Sequence, residues 1–162
     1  MSFDDTFLLG YAYAREGNFR ESLIYFRRIM AHYAEGRGED VPAKVLSYYG
    51  LVLGLGENRL QEAVTYCTMA IKKEFYHPEY YVNLSRIFQK ANRRASAVDV
   101  LYKGLKVDGQ DKAIHSELLK LGVRQKPVIR FLDREHVVNK YLGLLRSRLI
   151  SGGGMADPRV RS

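Results

Sequence analysis

Three stretches of the chain repeat one pattern. Thr6-x-x-Leu9-Gly10-x-x-Tyr13 is followed by Ser22-x-x-x-Phe26. Leu46-x-x-Tyr49-Gly50-x-x-Leu53 is followed by Ala63-x-x-x-Cys67, and Tyr81-x-x-Leu84-Ser85-x-x-Phe88 by Ala97-x-x-x-Leu101. The aligned small residues Gly10, Gly50 and Ser85 lie 40 and then 35 residues apart. A period in this range marks stacked supersecondary units, none of which buries its apolar face alone. Stacked helix pairs make a surface suited to holding other proteins.

Helical spacing of apolar residues runs through each unit. Phe7, Leu8, Tyr11 and Ala14 share one face of a first helix, and Gly17-Asn18 breaks it. A second helix starts near Phe19 with Leu23, Phe26, Ile29, Met30 and Tyr33. A polar, Gly-rich loop follows, and Pro42 suits the first turn of a third helix. Gly54-Leu-Gly56-Glu-Asn58 reads as the end of that helix. A fourth helix runs from about 60 to 74; Pro78 opens a fifth, and a sixth spans about 95–107. A seventh covers roughly 111–122, with Ile114, Leu118, Leu119 and Leu121. Lys126-Pro127 begins an extended connector, because the residue before proline is pushed out of the helical region. Asp133 caps an expected eighth helix to about 149, with Val137, Val138, Tyr141, Leu142, Leu145 and Leu149 in one stripe.

The three units resemble the tetratricopeptide repeat (TPR), a helix–turn–helix of roughly 34 residues. The resemblance covers about 3–109 and implies an all-α, right-handed α-solenoid of three helix pairs, plus a capping helix and a C-terminal amphipathic helix. The repeats fall at about 3–36, 43–77 and 78–109, with the cap at 111–122 closing an array of 3–124. Residues 125–150 are expected to form the connector and a helix packing on the array, and 151–162 a disordered tail. Gly10, Gly50 and Ser85 are small where the paired helices press together, and Ser22, Ala63 and Ala97 are small opposite them. Tyr13, Leu53 and Phe88 are expected to fill the space between, while Ile29, Ala70 and Gly104 let the next unit stack. The chain departs from the pattern in lacking the signature tryptophan, whose place Thr6, Leu46 and Tyr81 take. It also lacks a closing proline after the first repeat, and it has a longer loop at 34–42 and an extra residue near 57–60.

At 162 residues, 46% hydrophobic and 27% charged, the chain can build one ordinary core without a metal or disulfide. One cysteine, Cys67, leaves no internal disulfide. A start without a basic, apolar leader, and the lack of a long apolar run, make a cytoplasmic location the expectation. The net charge of +8 is uneven: residues 1–81 carry 9 Lys/Arg against 11 Asp/Glu, residues 82–162 carry 17 against 7. No constellation for catalysis stands out. His32, His77, His115 and His136 show no paired metal spacing, and Gly54-x-Gly56 follows a helix rather than a strand. No enzyme, no cofactor, no metal and no small-molecule substrate are therefore expected.

In TPR proteins the first helices of the repeats line a concave groove. The resemblance places Phe7, Tyr11, Ser47, Leu51, Val82, Arg86 and Gln89 there, apolar at one end and basic at the other. The leading expectation is a protein-interaction adaptor taking a peptide or helix with an apolar anchor and acidic flanks. TPR co-chaperones that grip the C-terminal carboxylate of heat-shock chaperones use Lys, Asn and Arg at set inner-helix positions. Asp4, Leu8, Glu79 and Asn83 stand there here, which argues against such a clamp. In size and repeat number the chain also resembles type III secretion chaperones. The alternative from charge is that Arg93, Arg94, Lys120, Arg124, Lys126, Arg130, Arg146 and Arg148 bind nucleic acid or an anionic membrane surface.

Overall fold

The computed structural model describes residues 2–35 and 40–123, within a compact unit spanning 1–124. The connector, the eighth helix and the tail expected at 125–162 lie outside the described residues. The described residues form seven helices and no strand: α1 (Phe3–Glu16), α2 (Phe19–Glu35), α3 (Ala43–Glu57), α4 (Leu60–Lys73), α5 (Pro78–Lys90), α6 (Arg94–Val107) and α7 (Lys112–Lys120).

Local chemistry explains where these helices begin and turn. Ser2 caps α1: its hydroxyl accepts from the Asp5 amide at 3.1 Å, and the Asp5 carboxylate accepts from the Ser2 amide at 3.1 Å. This reciprocal pairing satisfies two amides that a helix start leaves without partners. Pro78 opens α5, where its missing N–H costs nothing. Each helix pair reverses through one residue in the left-handed region: Gly17 (φ 84°), Asn58 (φ 61°) and Asn92 (φ 56°). Glycine and asparagine enter that region at least cost. Pro42 sits just outside α3 as its cap rather than in its first turn. Gly54 and Gly56 lie inside α3, which runs on to Glu57. Gly54 is a packing residue, since a Cβ there would stand 2.9 Å from the Ala63 Cβ.

The paired helices meet at the small residues. A Cβ on Gly50 would stand 2.7 Å from the Cys67 Sγ and 2.8 Å from the Ala63 carbonyl oxygen. On Gly10 it would meet Phe26 and Tyr25 at 3.1 Å. Ser22, Ala63, Ser85 and Ala97 are fully buried, and the Ser22 hydroxyl donates to the Gly10 carbonyl at 2.6 Å. Leu53 and Phe88 fill the space between helices as expected. Tyr13 does not; it is half-buried and stacks on Tyr25 at 5.6 Å, leaving Ala14 to fill the core. A Cβ on Gly104 would meet the Ile114 Cδ1 at 2.6 Å and the Tyr81 Cβ at 3.0 Å, so that glycine lets α7 close on α6.

Between pairs, α2 packs on α3 and α4 packs on α5. The odd-numbered helices touch in succession, α1 to α3, α3 to α5 and α5 to α7. The even-numbered helices α2, α4 and α6 do not touch one another. A stack that is close on one side and splayed on the other must curve, with α1, α3, α5 and α7 on its inner side. Ile114 and Leu118 of α7 bury themselves against Val82 and Leu101, which hides the apolar end of the third pair. Leu119, the apolar residue next to Leu118 on the same helix, is exposed.

Candidate partner-binding site

The inner side of the stack is the surface on which the sequence places a partner. Seven residues were expected to line it, and the structure divides them. Ser47, Leu51 and Val82 are buried in the layer beneath, at 0%, 1% and 4% exposure. They cannot contact a partner, because α3 and α5 pack directly on one another there. Asn83 Nδ2 donates to the Ser47 hydroxyl at 3.0 Å, and Ser47 in turn accepts through its carbonyl from the Cys67 thiol at 3.3 Å. Burial pushes the Cys67 thiol well above its ordinary range, so it is an inert core group. Phe7, Tyr11, Arg86 and Gln89 keep part of their surface open.

These four fall into two groups. At the α1–α3 end, Phe7 and Tyr11 lie nearly parallel at 6.0 Å and an interplanar angle of 19°. They are one turn apart on α1, which puts them on one face. Phe7 rests edge-on against Phe26 at 5.9 Å, and Tyr11 against Tyr48 at 4.9 Å. Lys44 from α3 spans the pair, its Nζ 5.6 Å from the Phe7 ring centre and 5.0 Å from that of Tyr11. Arg15, one turn beyond Tyr11, places its guanidinium 5.8 Å from the same Tyr11 ring. Leu8 lies on the adjoining stripe and is 60% exposed. No carboxylate among the described residues pairs with Lys44 or Arg15.

At the α5–α7 end the charges are already matched. Glu117 of α7 is 4% exposed, and its carboxylate accepts from Arg86 Nη2 at 3.0 Å, Gln89 Nε2 at 3.2 Å and Lys120 Nζ at 3.1 Å. Burial alone would raise the Glu117 pKa, but the bonds from Lys120, Arg86 and Gln89 outweigh it and hold the carboxyl below the usual Glu range. The basic end expected from the sequence is thus closed by an acid of the same chain. Between the two groups, the buried Tyr48 hydroxyl donates to Glu79. Burial, and then the Glu79 carboxylate, push the Tyr48 phenol far above the ordinary tyrosine value.

Sequence reasoning missed Lys44 and Arg15, and it placed Leu8 on the apolar face of α1 and as a mismatch to a clamp, not as a groove residue. For Arg15 and Leu8 the available signal was helical spacing from Tyr11; Lys44 reaches the same rings from α3, which spacing within one helix does not encode. The described part of the basic set is likewise committed. Arg93 lies over the Phe88 ring at 4.9 Å, Arg94 Nε donates to the Leu121 carbonyl at 3.2 Å, and Lys120 pairs with Glu117. Arg124 and the later basic residues lie outside the described residues. Among the described residues no helix is long and apolar enough to cross a membrane, and no cluster of three or more His, Cys, Asp or Glu could hold a metal.

No family model and no curated protein matches the sequence. Solved structures do. The TPR domain of Arabidopsis OM64 matches with a TM-score of 0.58 at 13% identity, over 76% of this chain and 96% of that one. The TPR2B domain of yeast Sti1, in a pHsp70 complex, matches at 0.56 and 17% identity, over 76% and 98%. The first TPR of Spaghetti (RPAP3), bound to the HSP90 peptide SRMEEVD, matches at 0.55 and 12% identity, over 74% and 90%. The chain has the tetratricopeptide-repeat fold, an all-α solenoid.

Proposed function

We propose that the chain is a non-enzymatic protein-interaction adaptor that holds a peptide or a helix along the inner side of α1, α3 and α5. The observation that carries this reading is the stripe of Phe7, Leu8, Tyr11, Arg15 and Lys44, which stays exposed or half-exposed even where Phe7 and Tyr11 touch the core beneath. Two of the structures it resembles are complexes with chaperone segments, one of them an HSP90 peptide ending in EEVD. That supports a peptide-type partner but not that peptide. Glu79 accepts the Tyr48 hydroxyl and Asn83 is 2% exposed against Ser47, so neither presents a cation to a terminal carboxylate.

The test is affinity capture from native lysate with quantitative mass spectrometry, comparing the wild type with Leu8→Arg. Leu8 is exposed, so the variant should melt as the wild type does while putting a charge into the apolar stripe. Partners held by the wild type and lost by the folded variant support the reading. Identical partner sets would move the site off the inner side.

A further inference from the structure

The proposed adaptor reading leaves open what chemistry the inner side selects, and the two ends answer differently. A surface cation that keeps no acid of its own is available to a partner's acid. One already bonded to a buried carboxylate has its charge largely offset within the fold and draws a second acid less strongly. Arg86 and Lys120 are of the second kind, because Glu117 sits between them with its carboxylate fully engaged. Lys44 and Arg15 are of the first kind. Both are exposed and both lie over the Tyr11 ring. Asp4 is the one acid on the same stripe of α1, and it is paired with neither.

Resting on that reading, we infer that the partner is an acidic peptide segment whose carboxylate is taken by Lys44 and Arg15 at the α1–α3 end, with a neighbouring apolar side chain against Leu8 and the Phe7–Tyr11 pair. The aromatic rings do two things in this arrangement. They hold the two cationic side chains over one patch before a partner arrives, which lowers the ordering cost of binding. They also supply flat apolar area beside the charges, where an aromatic or branched residue of the partner loses water. Nothing in this site reads a chain terminus, so the acid can come from Asp or Glu in the middle of a segment. The acidic flank belongs here, and not at Arg86.

The experiment is a selection with the full chain against random peptides displayed inside a loop, so that no probe has a free terminal carboxylate. Bound peptides should be enriched in Asp and Glu next to an apolar residue, and Lys44→Glu should reverse the enrichment toward Lys and Arg. A synthetic copy of an enriched peptide, with capped ends, should lose about fivefold or more in affinity with Lys44→Met and less than about twofold with Arg86→Met. Its binding should weaken as salt rises. Peptides without an acidic bias, or an equal loss in both Met variants, would overturn the inference. If such peptides still fail to bind Leu8→Arg, the adaptor reading survives that result. If no peptide is enriched and the lysate capture also yields nothing specific, both readings fall.

Discussion

The two ends of the inner side are built from similar residues and behave as opposites. At the α5–α7 end, Arg86, Gln89 and Lys120 converge on Glu117, and the helix that carries this acid is itself anchored by Ile114 and Leu118. At the α1–α3 end, Arg15 and Lys44 lie over aromatic rings with no described acid to meet them. Cations at one end are bonded within the fold, and at the other no carboxylate of the described residues meets them. A count of basic residues does not distinguish these cases; the position of one carboxylate does. The difference also explains why the end that looks basic in the sequence is the end with less to offer an acidic partner.

If the α5–α7 end is structural, damage there must cost stability. Ile114→Ala empties a fully buried position between Val82, Leu101 and the close approach at Gly104, and should destabilise by about 3 kcal/mol. Chemical denaturation measures this directly. A loss below about 1 kcal/mol would mean that α7 is loosely attached and that the comparison between the ends fails. Gly50→Leu tests the helix pair that joins the two ends. Its Cβ would already stand 2.8 Å from the Ala63 carbonyl oxygen, a backbone atom that cannot swing aside. Destabilisation of about 2 kcal/mol is expected, and an unchanged melting temperature would contradict the close approach.

Glu117→Gln breaks the closed end more gently. It keeps the side chain's shape but removes the charge facing Arg86 and Lys120, and should cost about 1.5 kcal/mol near neutral pH. The pH dependence gives the sign. The folded-state pKa of Glu117 is lowered from the ordinary 4.5, so the folded chain binds this proton less readily than the unfolded chain. Its contribution is therefore complete above that ordinary value and is lost as pH falls below it. Melting curves from neutral to acid pH should show the gap between wild type and Glu117→Gln narrowing only below about pH 5. A gap that is constant across that range would show that the carboxylate is not charged and bonded as described.

How far the sequence could be read follows from how local each feature is. The helix reversals at Gly17-Asn18 and Asn58 were legible because the residue at each turn decides its own backbone angle. The repeat pattern found the close approaches at Gly10, Gly50 and Gly104, where the missing side chain lets Phe26, Cys67 and Ile114 come near the backbone. Gly54 and Gly56 misled, since glycine marks both helix ends and tight helix contacts, and only the neighbour at Ala63 tells them apart. The inner side was half legible. The resemblance put Phe7, Tyr11, Arg86 and Gln89 where the structure leaves them partly open. The depth of Ser47, Leu51 and Val82 depends on how closely α3 meets α5, which no single-helix period encodes. The pairing of Arg86 with Glu117 spans 31 residues and depends on where α7 folds back.

The smallest effect on stability is expected at Lys44, and it carries the comparison furthest. Lys44 is exposed, and its Nζ lies over two rings at 5.0 and 5.6 Å. Such contacts at exposed positions contribute about 0.5–1 kcal/mol at most. Methionine keeps much of the apolar stem lying on the rings, so Lys44→Met should shift stability by less than about 0.5 kcal/mol. Arg86→Met, in contrast, strips a donor from a 4% exposed carboxylate and should cost about 1 kcal/mol or more. Denaturation of the two variants side by side, without any partner, therefore separates a cation held for the fold from one that the fold does not use. Equal losses would place both cations in the same class. A larger loss at Lys44 would show that its seat on Phe7 and Tyr11 is part of the core, and would leave the α1–α3 end with no charge to offer.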